Sequence, residues 1–357
     1  MHLVTFERRE PRDASERDDR RLSSMADEAL GFETLEPLRP GARRLGAVVQ
    51  LGRHAGFVVD LNRALAIKLA FEDVGAPEAE AESQLPCEML AFLRRLPLSL
   101  EAAHAALAFA VDALERYDGP DLLRAGVVEP LRRLHLCAPV PRPGKIIGVA
   151  RNYPDGGEPG ARPGEPALFL EAPSAVIGPQ DEIALPPAAE RVDYAGALAV
   201  VIGARTRQVS AEQALGCVAG YCAANDVSAR NFERARGQHF IGRSCDTFAP
   251  LGPALVTADE ISDPQDLGIR TALSGELVQS GRTKEMSFPI VELIAFASAL
   301  MTLEPGDVLL TGTPAGVGAA RTPARWLRDG DVVEVAIERV GRLRNYVRGE
   351  RSSAAGA

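Results

Sequence analysis

Residues 307–318 read DVLLTGTPAGVG. A short apolar run of strand type leads into a turn punctuated by Gly312, Pro314, Gly316 and Gly318. Glycine permits the positive φ that tight turns need, and the backbone N–H groups of such a loop can face an anion. The same alternation of a short β-rich run and a Gly/Pro turn recurs through KIIGVA, ALFLEA, AVIG, GALAVVIG, LGPALVTA, IRTALSG and DVVEVAIERV. Two helical patterns interrupt it, at 211–220 and 289–301. Many short strands with few covering helices predict an α+β domain built largely of sheet, over residues 140–350.

Upstream of this region the chain changes character. The stretch CAPVPRPGK at 137–145 carries three prolines and a glycine, a linker composition that puts a domain boundary near residue 140. The first domain, residues 1–139, reads as smaller and also α+β. LVTF at 3–6 suggests a strand, and 45–61 suggests a hairpin. Helical spacing runs through 62–74, 86–96 and 99–117, the last two separated by Pro97. The mixed-charge stretch at 8–28 predicts a solvated loop or a short exposed helix, and residues 351–357 a disordered tail.

The 357 residues are 46% hydrophobic and 25% charged, with a net charge of −9. An acidic chain of ordinary globular composition is a poor partner for nucleic acid or an anionic membrane. No stretch reaches the roughly 18 apolar residues of a membrane span. The opening MHLVTFERRE is too polar for a signal peptide, so the sequence reads as cytoplasmic. Five scattered cysteines without a CxxC pair argue against a disulfide framework or a zinc site. The five histidines form no HxH or HxxxH pair.

Seven segments, in order, carry a family resemblance: KIIGVARNYPD (145–155), PALFLEAPSAVIGP (166–179), RVDYAGALAVVIG (191–203), VAGYCAANDVSAR (218–230), IGRSCDTFAPLGP (241–253), MTLEPGDVLLTGTPAGVG (301–318) and GDVVEVAIERVGRLRN (330–345). They resemble the fumarylacetoacetate hydrolase superfamily over about 200 residues. The resemblance implies a rolled mixed β-sheet domain behind a variable first domain, and a homodimer. It implies chemistry on small oxo-acids, in which Mg²⁺ or Mn²⁺ held by three carboxylates stabilises an enolate.

The sequence departs from that pattern at the positions that carry the chemistry. Two metal ligands of the family form a Glu-x-Glu on one strand, where side chains two apart share a face. Here Ala195 and Ala197 stand at those positions, and only the third ligand position, Asp226, keeps its carboxylate. Asp193, earlier on the same strand, reads as a hydrogen-bond or ion-pair partner. In the loop after Tyr153, Gly156 and Pro159 occupy the family's His and Glu positions, with Glu158 one residue off. Arg243 replaces a family lysine, keeping positive charge but giving up a proton that can be shared.

The groups left for chemistry are Asp226, Arg243 and His239, and those left for holding a substrate are Arg151, Tyr153, Gln238 and Thr313. Asp226 reads either as a general base or as the ion-pair partner of Arg243. No tightly held metal is expected, with weak Mg²⁺ or Mn²⁺ binding as the most this set supports. Three functions follow. One is an enzyme of this superfamily working without a tightly bound metal on a small carboxylate, oxo-acid or β-dicarbonyl compound. Its cationic and hydroxyl groups would stabilise an oxyanion during C–C cleavage, decarboxylation, dehydration, isomerisation or cyclisation. A second is a non-catalytic pseudoenzyme that binds or scaffolds. A third is a metal-dependent hydrolase or lyase that relies on Asp226.

Overall fold

The computed structural model describes residues 1–8, 41–49, 55–116, 122–123, 125–154 and 164–349. Nearly all of the charged stretch at 8–28, the loop positions Gly156, Glu158 and Pro159, and the tail at 351–357 lie outside the described residues. The chain divides into two units, Met1–Cys137 and Ala138–Ala357. Both mix helices with sheet, as the patterning predicts.

In the first unit the strands are β1 (His2–Arg8), β2 (Arg44–Val48), β3 (Phe57–Asp60), β4 (Val128–Pro130) and β5 (Leu134–Cys137). They form an antiparallel array in the order β4–β3–β2–β1, with β5 also on β1. The predicted hairpin is the β2–β3 pair. Helix α1 (Leu61–Phe71) follows β3 directly because Asp60 caps it, its carboxylate accepting from Arg63 N at 3.1 Å. Helices α3 (Met89–Leu93) and α4 (Leu98–Arg116) flank Pro97, and α4 packs on α1. Helix α2 (Pro77–Gln84) has no counterpart in the sequence reading. Its sequence, PEAEAESQ, buries only Ala81, so no apolar period announces it. It starts through Pro77 at the first turn and Glu78 and Glu80 near the positive end of the helix dipole.

The second unit holds β6 (Ile146–Ala150), β7 (Ala167–Glu171), β8 (Val176–Ile177), β9 (Glu182–Leu185), β10 (Val192–Asp193), β11 (Gly196–Ile202), β12 (Val218–Asn225), β13 (Ser228–Ala229) and β14 (Ala249–Thr257). After these come β15 (Gly268–Leu273), β16 (Glu276–Arg282), β17 (Val308–Leu310), β18 (Val332–Ile337) and β19 (Gly341–Gly349). The main sheet runs β14–β12–β11–β17–β6–β7, antiparallel except for the β17–β6 pair. A second sheet runs β16–β15–β18–β19–β9. Strands β11, β12 and β14 pack against β15, β18 and β19, and the core between them includes Leu198, Phe248, Val335 and Leu343. The main sheet rolls, so β8 lies on β14 and the end of β7 meets the 239–244 region, where Ala172 N donates to Ser244 Oγ at 3.0 Å.

One helical expectation needs correction. Helix α5 spans only Ala211–Ala214, a tight turn covers Leu215–Cys217, and β12 begins at Val218. Every residue of β12 is buried, and pairing on both edges of that strand overrides the local helical spacing. Two short helices, α6 (Arg230–Arg236) and α7 (His239–Arg243), were not anticipated, whereas α8 (Ile290–Leu300) lies inside the predicted 289–301. Among the described residues no helix is long and apolar enough to cross a membrane.

The turn after β17 depends on glycine. Gly316 has a φ of 110°, and a Cβ there would meet Val278 O at 2.1 Å. Its carbonyl accepts from the Tyr194 hydroxyl at 3.1 Å, which ties the turn to the chain ahead of β11. Gly316→Ala is expected to destabilise the second unit by about 2 kcal/mol or more, read as a lowered urea midpoint.

Candidate functional site

The substituted metal strand sets the frame. Ala195 and Ala197 are both buried at the start of β11. Their backbone is held by side chains: Ala195 N donates to Asn225 Oδ1 at 2.9 Å, and Gly196 N donates to Gln279 Oε1 at 3.0 Å. Thr313 donates to Gly196 O at 2.7 Å and accepts from Gln279 Nε2 at 2.7 Å. The Thr313 hydroxyl, expected to face substrate, is thus engaged in joining β11 to the TGTP turn.

Next to this strand lies a line of alternating charges. Asp193, fully buried on β10, accepts from Tyr194 N, Gly318 N and Ala319 N at 3.0, 2.7 and 3.2 Å. Arg230 Nε donates to Asp193 Oδ2 at 3.1 Å, and Arg230 Nη1 donates to Glu233 Oε2 at 3.1 Å. The other Glu233 oxygen accepts from Arg243 Nε at 2.8 Å and pairs with His239 Nδ1 at 3.1 Å. Arg243 Nη1 donates to Asp226 Oδ2. Asp226 in turn lies against Glu171, the last residue of β7.

Local sequence explains how these groups converge. The β10–β13 ladder pairs Asp193 with Ser228, which brings Asp193 beside the segment from Asp226 to Arg230. Gly237 ends α6 in the left-handed region, φ 63°, and turns the chain into α7. Gly242 lets α7 press on α6, since a Cβ there would meet Glu233 Cγ at 2.4 Å. On β7, Phe169 and Glu171 are two residues apart and so share a face. The Arg243 guanidinium lies over the Phe169 ring at 4.5 Å, and the His239 ring is 5.1 Å from it.

The electrostatics follow from burial. For Arg243, burial opposes the charge, but Asp226 and then Glu233 outweigh it and raise the guanidinium pKa further. Burial likewise works against the Glu233 carboxylate, yet Arg243 and Arg230 hold it below the usual carboxylate range. Glu171 goes the other way. Burial first, and then repulsion from Asp226, push it well above that range, with Arg243 opposing. Neither Glu171 oxygen has a hydrogen-bond partner within the described residues, nor does Asp226 Oδ1. Two carboxyl groups in contact in a dry interior settle with one proton between them.

The remaining sequence candidates differ in burial and contacts. Arg151 is exposed with φ 54°, a left-handed conformation rare for a side-chain-bearing residue. Asn152, beside it, is buried. It donates to Phe288 O at 3.1 Å and Thr311 O at 2.8 Å, and accepts from Phe288 N at 2.8 Å. Tyr153 is buried, its hydroxyl near Thr311 without a well-aligned hydrogen bond, and burial raises its pKa. Gln238 is exposed just before α7, and His239 is exposed at the outer end of the charged line. Of the two readings of Asp226, the structure shows the pairing with Arg243.

Sequence reasoning missed Glu171, Glu233 and Arg230. Glu171 had a legible signal: a lone acid in the otherwise apolar ALFLEA, two residues from an aromatic on the same strand face. Glu233 had none, because its importance depends on a short helix that only tertiary packing defines.

These residues do not fit the divalent ion that the family arrangement implies. Two of the three ligand positions end in methyl groups, and one oxygen of the third is taken by a guanidinium. Among the described residues no group of three His, Cys, Asp or Glu side chains is placed to hold a metal.

A raised folded-state pKa at Glu171 means that its contribution to stability is complete below the ordinary carboxylate range. That contribution is lost as pH rises through the folded value. Glu171→Gln keeps the shape of the neutral acid and removes the titration. Its melting temperature is expected to exceed the wild type's by roughly 2–4 °C at about pH 8, the gap closing toward about pH 5. Thermal melts across that range check this; a variant less stable than wild type at the alkaline end contradicts it.

The model for the fumarylacetoacetate (FAA) hydrolase C-terminal family matches residues 145–348. The human mitochondrial oxaloacetate tautomerase FAHD2A is 41% identical over 267 residues, which cover 74% of this chain and 80% of that protein. A solved 2-hydroxyhepta-2,4-diene-1,7-dioate isomerase from Mycobacterium marinum is 40% identical with a TM-score of 0.57, covering 63% of this chain and 82% of that one. A fumarylacetoacetate hydrolase from the psychrophile Exiguobacterium antarcticum is 30% identical with a TM-score of 0.68, covering 97% of this chain and all of its own. With the family match extending over more than half of its length, from β6 to β19, the chain belongs to the fumarylacetoacetate hydrolase superfamily.

Proposed function

We propose that this protein is a tautomerase or isomerase that moves a proton within a small oxo-dicarboxylate, working without a tightly bound metal. The observation that carries the reading is the buried Glu171–Asp226 pair beside the Arg243 guanidinium. A tautomerisation needs one group to take a proton and one to give it, and two carboxyl groups whose environments differ supply both. It needs no positioned water and no redox partner, unlike hydrolysis or oxidation. The relatives support the substrate class. One is named for oxaloacetate and the other for a hydroxy-diene-dioate, and both names describe isomerisation of a dicarboxylate.

In this reading Asp226 and Glu171 handle the proton, and Arg243 fixes Asp226 and favours a developing oxyanion. His239, at the exposed end of the line, pairs with Glu233 and so helps to hold the carboxylate that positions Arg243. Arg151, exposed and held in a left-handed backbone conformation, takes a substrate carboxylate. Tyr153, Gln238 and Thr313 border the bound acid. The homodimer implied by the family resemblance and the cytoplasmic setting inferred from composition belong to the same reading.

A non-catalytic binding role is the second reading. The observation favouring it is that Arg243 and Thr313 already satisfy their hydrogen bonds inside the protein. A metal-dependent hydrolase or lyase built on Asp226 is disfavoured, because Arg243 holds one of that carboxylate's oxygens.

The decisive assay follows enol-oxaloacetate absorbance on conversion to the keto form. The wild type is expected to accelerate this conversion, and Asp226→Asn or Glu171→Gln to lower kcat by about 100-fold. Arg151→Ala is expected to raise KM about tenfold with a smaller change in kcat, as removal of a ground-state contact does. A folded wild type that binds the oxo-acid without accelerating the conversion refutes the enzyme reading in favour of the binding protein.

A further inference from the structure

A chain running straight on from β6 would alternate its side chains between two faces. Instead Arg151 is exposed, while Asn152 and Tyr153 are both buried. The alternation breaks at Arg151, whose φ is 54°. A left-handed backbone at a residue that carries a Cβ persists only where its surroundings over-determine it. The next residue supplies that constraint. Asn152 uses both of its amide protons, donating to Phe288 O at 3.1 Å and to Thr311 O at 2.8 Å. Its Oδ1 accepts from Phe288 N at 2.8 Å, and its backbone carbonyl accepts from Ser287 N at 2.7 Å. A backbone N–H can only donate, so the bond from Phe288 fixes which end of the amide is the carbonyl. Gly312 leaves the room, since a Cβ there would stand 2.9 Å from Asn152 Cβ. One buried side chain thus ties the end of β6 to the segment ahead of α8 and to the turn after β17.

We infer that Asn152 is a positioning residue for substrate binding. Its clamp on residues 287–288 and 311 holds Arg151 in the left-handed conformation from which the guanidinium takes a substrate carboxylate. Asn152 acts through Arg151 alone, because its own amide is committed inside the protein. The inference rests on the proposed role of Arg151 and adds the residue that sets it.

Succinate is the probe, a four-carbon dicarboxylate that the site can bind without isomerising. Its affinity is measured by calorimetry for the full-length wild type, Arg151→Ala, Asn152→Asp and the double variant, each checked for folding by its melting transition. Asp at 152 keeps the shape and loses both donated bonds. Each single variant is expected to bind about tenfold more weakly than wild type. The double variant is expected to bind within about twofold of Arg151→Ala, since a residue acting through the guanidinium has nothing to act on once it is gone. A general loosening of the fold would instead weaken the double variant about a hundredfold, and that result overturns the inference. So does a folded Asn152→Asp that binds as wild type does, or a wild type that does not bind succinate. If Asn152→Asp does not fold, the surface variants Arg151→Gly and Arg151→Ala decide. Glycine takes positive φ without strain, so Arg151→Gly is expected to melt roughly 2 °C above Arg151→Ala, and an equal or lower melting point overturns the inference. The enol-oxaloacetate assay separates this from the proposed activity. Asn152→Asp is expected to raise KM about tenfold with kcat within about threefold of wild type. No turnover by a wild type whose succinate affinities show the expected coupling sinks the tautomerase and leaves Asn152 in its role. Turnover with independent losses does the reverse.

Discussion

A buried guanidinium must find carboxylates, because an isolated charge in a dry interior is too costly to keep. Arg243 meets that requirement twice, through Asp226 and Glu233, with an aromatic face beneath it. The neighbouring geometry follows. Glu233 can serve Arg243 only because α6 and α7 press together at Gly242. Asp226 can reach only because β12 ends at Asn225 and the β10–β13 ladder turns the chain there. The rolled sheet then closes the arrangement by carrying Phe169 and Glu171 against it. Buried ion networks seldom add much net stability, so this one is better understood as fixing position than as strengthening the fold.

The line of charges also explains why the TGTP turn and the acidic strand belong to one assembly. Asp193 accepts backbone N–H groups from Gly318 and Ala319 and a guanidinium from Arg230. Thr313 and Gln279 hold the backbone of Gly196 from the other side. The strand that bears ligands in the family pattern is thus anchored by side chains at its start, even though Ala195 and Ala197 present only methyl groups. A frame kept this rigid around a changed centre supports a site whose chemistry was altered over one whose shape was lost.

The fold was legible in the sequence where burial and period coincide. The short runs between Gly and Pro turns become the strands of the second unit, and the long periodic segments become α1, α4 and α8. It was not legible where tertiary contacts override local preference. The apparent helix at 211–220 gives way to β12, whose residues are buried and paired on both edges. PEAEAESQ forms α2 with almost nothing apolar to reveal it. The site divides in the same way. Asp226 and Arg243 were found through their motif positions, and their pairing was one of two open alternatives. Glu233 could not be found, since nothing in FERARG marks an acid that will lie between two arginines. Glu171 was readable in principle from its isolation in an apolar strand, but the motif containing it was read for family likeness alone.

Glu171 shows what such a replacement demands of the chain. An acid placed next to another acid inside a protein is tolerated only if a cation neutralises one of them and a proton the other. Arg243 supplies the first, and burial enforces the second by raising Glu171. A lysine in place of Arg243 could shift its own proton under the same pressure and leave the pair's charge undetermined. A guanidinium cannot, so Arg243 keeps its charge against Asp226 while burial holds Glu171 toward the neutral acid.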